Sequence, residues 1–124
     1  MAAPTRIVLV DPDGRRRAHT RRTISTTSAA VTIGEAVTYE EALAMLGSTE
    51  PECAIVQHSL DGGLTGLDLL HALRTTEVTR TTHVVGTSRY PRVAASYRRI
   101  GAGFIHEPID PVSLSRELQR VRRA

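Results

Sequence analysis

Residues 7–13 read Ile-Val-Leu-Val-Asp-Pro-Asp: four apolar residues in a row, stopped by acid and proline. The run is too short for a helix, is β-branched at most positions and does not alternate with polar residues. It therefore reads as a strand buried on both faces, the mark of a parallel sheet. The pattern returns at 53–56, 83–85 and 104–105. A fifth run, 31–33, alternates around Thr32 and reads as a partly exposed strand.

Helical spacing fills the intervals. Val93, Tyr97 and Ile100 are four and three apart, as are Leu114, Leu118 and Val121, so each set forms one stripe able to cover the sheet. Thr38 followed by Glu41 makes a capping-box pattern, and Asp110 before Pro111 makes an N-cap with proline at the first helical position. A helix over 67–74 follows the glycine-rich loop 61–66. Residues 14–27 are crowded with arginine and threonine and have only Ala18 and Ile24 as clear apolar positions, so a helix there rests on topology rather than propensity. Five strands alternating with five helices, joined by right-handed crossovers, predict an α/β fold: a doubly wound, five-stranded parallel sheet flanked by five helices, in one domain over 1–124.

Composition narrows the function. A chain of 124 residues, 40% hydrophobic, can bury one core, and at 3% aromatic that core is aliphatic. No run approaches the roughly 20 apolar residues of a membrane span and the first residues lack a secretory pattern, so a cytoplasmic protein is expected. Cys53 lies inside an apolar run and reads as a small hydrophobe. The net charge is +3, and all sixteen cationic side chains are arginine; there is no lysine. Arginines cluster at 15, 16, 17, 21 and 22 and at 116, 120, 122 and 123, without interleaved aromatics or a nucleic-acid motif, and read as solvated helix faces.

In a sheet of this kind the site lies beyond the carboxyl ends of the strands. Those ends carry Asp11-Pro12-Asp13, His58 with the loop to Gly66, Thr87-Ser88 and Glu107-Pro108. With the Val84-Val85-Gly86-Thr87-Ser88 strand end and the stretch from Gly101 to Asp110, this series resembles the receiver domains of response regulators over essentially the whole chain. The resemblance implies a flavodoxin-like fold and a site where acidic residues hold Mg²⁺, an aspartate accepts a phosphoryl group, and a hydroxyl and a lysine contact its oxygens. It also implies how far this chain departs. Counting back from Gly66 puts His58 at the acceptor position; Asp11 is kept but its acidic neighbour is Pro12, leaving Asp13 to swing in; Glu107 stands where the lysine would be. Thr87, as the hydroxyl, and Phe104, as the switch aromatic, match the active pattern or serve packing alone. Glu107–Pro108 is expected to be cis.

Three functions follow. The leading one is a non-enzymatic pseudo-receiver that signals without phosphorylation, through a protein partner or a second copy of itself. It would use the face of the fourth helix, fifth strand and fifth helix, with Tyr90, Tyr97, Arg98, Arg116 and Arg120 as contact residues. No cofactor, metal, membrane or nucleic-acid partner is expected. The second is a sensor whose altered pocket takes a small ligand or metal, for which Asp11, His58 and Glu107 are the candidate ligands. The third is a receiver phosphorylated at an unexpected residue such as Asp61, which otherwise reads as a turn-capping aspartate. His19, His71, His83 and His106 read as surface or strand-end residues. With acid and base exchanged at two positions, His58 and Glu107 are expected to pair, raising the His58 pKa.

Overall fold

The computed structural model describes residues 3–123. Its elements in chain order are β1 (Thr5–Val10), α1 (Gly14–Ile24), β2 (Ala30–Ala36), α2 (Tyr39–Thr49), β3 (Cys53–Gln57), α3 (Gly66–Arg74), β4 (His83–Ser88), α4 (Ala94–Arg99), β5 (Gly103–His106) and α5 (Pro111–Arg123). Short 3-10 turns sit at Asp61–Gly63 and Pro91–Val93. All strand pairs are parallel, in the order β2-β1-β3-β4-β5. The order reverses between β1 and β3, which makes the carboxyl ends of those two strands the natural site.

Side-chain alternation along the strands builds two cores. Val8, Val10, Ala54, Val56 and Val84 face α2, α3 and α4, where Leu46, Leu69, Leu73 and Tyr97 cover them. Ile7, Leu9, Cys53, Ile55 and Val85 face α1 and α5, under Ile24, Leu114 and Leu118. Cys53 is buried, and burial pushes its thiol up to about 12, so it stays protonated and inert.

The helix ends follow their local chemistry. Thr38 and Glu41 form a capping box at α2, and Asp110 accepts the Ser113 N–H (2.9 Å) at the start of α5. A second capping box at α3 joins Thr65 and Asp68. Asp61 takes a capping position, its Oδ1 accepting the Tyr39 N–H (2.7 Å) at the start of α2. Helix α1 stops at Ile24 instead of running to residue 27, because the Ser25 and Thr26 hydroxyls take the carbonyls of Arg22 and Thr23. Strand β2 is longer than 31–33. The expected stripe on α4 is shorter than its spacing, since the helix ends at Arg99 and leaves Ile100 exposed.

Candidate functional site

The side chain that β3 delivers to the reversal point is Gln57. Cys53 and Ile55 point to the α1–α5 side, and period-two alternation sends Gln57 the same way and His58 to the other. Gln57 is buried, and its Nε2 donates to Glu107 Oε2 (2.7 Å). His58 instead turns toward α4, where its Nδ1 lies 2.9 Å from the Tyr97 hydroxyl. The expected His58–Glu107 pair is therefore absent. Away from any pairing carboxylate, His58 is pushed below the ordinary imidazole value by burial, with Asp68 opposing. The shift runs opposite to the rise the sequence implied.

Asp11 follows β1 and is buried, and both of its oxygens are bound by one guanidinium. Arg16 Nε donates to Oδ2 and Nη2 to Oδ1, each at 2.7 Å. The same Arg16 Nε lies 3.2 Å from Glu107 Oε2. Arg16 thus bridges the two carboxylates in a fork geometry that arginine alone supplies. Its own pKa is raised, first by the hydrogen bond to Asp11. Arg17 Nη1 adds a bond to the Asp11 carbonyl (2.8 Å). Asp13 does not swing in; it caps α1, its Oδ1 accepting the Arg16 N–H (2.9 Å), and that bond lowers its pKa. Thr87 is buried beside Gln57 in register, and the Glu107–Pro108 bond is cis.

These residues do not fit a divalent ion. One carboxylate is saturated by Arg16, proline contributes no ligand, and Asp13 is spent on the helix. The interior space among Leu9, Asp11, Arg17, Gln57 and Thr87 is about 10 Å³, at the lower limit for one water. No group of three metal-binding side chains forms among the described residues, and His58 cannot join Asp11 and Glu107 from the opposite face. An open cleft of about 570 Å³ adjoins the cluster, edged by Arg15, Arg16, His19, Thr87, Arg89 and Glu107.

The docking residues divide. Tyr90 precedes α4 and is exposed, its ring flanked by Arg89 and Arg92 at 5.4 and 5.9 Å. Arg98 and Arg116 line a cleft of about 280 Å³ with Phe104 and Glu117. Arg98 and Arg120 lie 3.8 and 3.5 Å from the buried Glu117, whose Oε1 accepts the Phe104 N–H (3.2 Å). Tyr97 is no surface residue. It is fully buried, because its ring lies over Gly86, where there is no side chain to exclude it.

No protein-family profile matches this chain, and no curated protein does. Solved structures do. The signal receiver domain of a putative response regulator, NarL, from Mycobacterium tuberculosis superposes with a TM-score of 0.85 at 21% identity, over 99% of this chain and 100% of that one. The fold is that of response regulator receiver domains. A two-component response regulator of the LuxR family from an Aurantimonas species has a TM-score of 0.83 at 21% identity, covering 95% of this chain and 84% of that one. A CheY-like receiver domain from Methylobacillus flagellatus also scores 0.83, at 16% identity over 95% and 98%. On this receiver fold, Gln57 is the site residue that counting back from Gly66 missed. The signal for it was the alternation of β3, which assigns Gln57 and His58 to opposite faces.

Proposed function

We propose that the chain is a receiver-type signalling module of two-component systems that works without phosphorylation, by binding a protein partner or a second copy of itself through the face of α4, β5 and α5. The observation that carries this reading is Arg16, clamped between Asp11 and Glu107 at 2.7 and 3.2 Å. Receivers hold a metal ion and a phosphoryl group at such a place; here the chain supplies its own cation. Gln57 at the end of β3 carries an amide, which forms no acyl phosphate, and Glu107 sets negative charge where a phosphoryl group would need a cation. The output face keeps an exposed Tyr90 and the arginines Arg98, Arg116 and Arg120, the residue types favoured as interface anchors.

Acetyl phosphate with Mg²⁺, read by intact mass and amide spectra, tests the reading. Unchanged mass and unmoved resonances at Asp11, Gln57, Thr87 and Glu107 are expected; a stable gain of one phosphoryl group overturns it. A second reading, a receptor for a small ligand, draws on the 570 Å³ cleft with Arg15 and Arg89 at its edge. Its signature is amide shifts at Arg15, His19 and Arg89 on adding a small anion, with no change of mass.

A further inference from the structure

Helix α4 is six residues long, and Tyr97 is its one buried residue. A helix this short is not stable by itself, so its place against the sheet depends on what Tyr97 meets. The side chain lies in a slot bounded by two glycines. A methyl group at Gly86 of β4 would overlap the ring, and one at Gly66, the first residue of α3, would overlap the hydroxyl. The hydroxyl meets His58 Nδ1 at 2.9 Å, and the two rings stand edge-on at 5.7 Å. On the other side the Phe104 ring lies 5.8 Å away, tilted by 40°. Burial pushes the phenol up, with Asp68 adding to the effect, so it keeps its proton and shares one hydrogen bond with His58 Nδ1. One side chain thereby touches β4, α3, the end of β3 and β5.

We propose that Tyr97 is a positioning residue: seated between Gly66 and Gly86 and held by His58, it fixes α4 and Phe104 in one arrangement, so the face of α4, β5 and α5 is presented whatever state the Asp11–Gln57–Glu107 cluster is in. The inference rests on the reading of that face as the output surface. Fixing α4 gives the surface one shape and removes the ordering cost a partner would otherwise meet on binding. It also gives a role to His58, which the cluster does not use.

The test is Tyr97→Phe, which removes the hydroxyl and leaves the ring. Amide exchange over 94–99 is expected to quicken roughly two- to tenfold, the factor carried by one hydrogen bond of ordinary net strength. The Phe104 ring resonances should broaden, while amides at Leu9, Asp11 and Gln57 exchange as before. Gly86→Ala, which evicts the ring, should disturb the same residues more strongly. Exchange over α4 and Phe104 resonances unchanged in Tyr97→Phe, or exchange quickened evenly through the whole chain, overturns the proposal; Tyr97→Phe decides the matter even if Gly86→Ala fails to fold. The acetyl phosphate experiment addresses the cluster alone, so a phosphoryl adduct defeats the proposed function without touching the α4 result, and an unresponsive α4 defeats the positioning role without touching the mass.

Discussion

The exchange of one residue for its neighbour decides what this site can do. Counting from Gly66 selects His58, yet Gln57 enters the cluster, because adjacent strand residues face opposite sides. The sequence held the clue in the alternation of 53–57. What it could not supply was the course of the 58–65 loop, where Gly62 and Gly63 both take positive φ (63° and 75°) and Ser59 bridges to Thr65. Nor does an arginine announce, from its neighbours in sequence, that it will span two carboxylates from separate strands. Two predictions belong at this scale. His58 should titrate below 6.5 in an NMR pH series and should be indifferent to Glu107→Gln; a value above 6.5 that falls in that variant would reinstate the pair. A depressed folded-state pKa places the associated stability above pH 6.5, to be lost as pH falls through the folded value. Arg16→Gln leaves Asp11 and Glu107 uncompensated. It should cost about 1–3 kcal/mol in urea unfolding, toward the lower figure because Arg16 is more than a third exposed.

Helix α1 shows how an element with a poor apolar stripe is held. Its buried positions are Thr20, Thr23 and Ile24, and both threonine hydroxyls bond back to carbonyls four residues earlier. Polar anchors replace packing: Arg17 and Arg21 both reach Glu35 on β2, at 2.9 and 2.8 Å, and His19 Nε2 meets the Ile109 carbonyl at 2.8 Å. That is why propensity alone could not place this helix, whereas α2 and α5 were legible from a capping box and an Asp-Pro start. Burial alone would raise the Glu35 pKa, but the hydrogen bonds from Arg21 and Arg17 outweigh it and hold the carboxyl low. Stability from this group is therefore present above its unfolded value, near 4.5, and is lost as pH falls through the lower folded one. Glu35→Gln should destabilise the protein by about 1 kcal/mol at pH 7 and by less near pH 3, since two partly exposed pairs are weakened together. Equal losses at both pH values would show that Glu35 acts through packing instead.

At the scale of the molecule, the apolar runs were enough to give the sheet, because a strand buried on both faces leaves a continuous signature and the crossover rule fixes the hand of its connections. The same burial concealed the site, whose character depends on which strand-end side chains turn inward and what they meet there. In this chain they meet each other. On the proposed reading, a site already closed by Arg16, Asp11, Gln57 and Glu107 should give the folded state no advantage over the unfolded chain in binding Mg²⁺ or a phosphoryl mimic. Linkage turns that into a measurement, since a ligand stabilises the fold only through preferential binding to it. Were Mg²⁺ with beryllofluoride present at a hundred times its dissociation constant, folding would gain about 2.7 kcal/mol. In a domain of this size such a gain moves the thermal midpoint by on the order of 10 °C. The expected shift is nil, within a degree, at millimolar Mg²⁺ and beryllofluoride. A rise of several degrees that needs both components, and that Glu107→Gln enlarges, would mean the cluster opens to admit them and that Arg16 is a displaceable occupant of a working site.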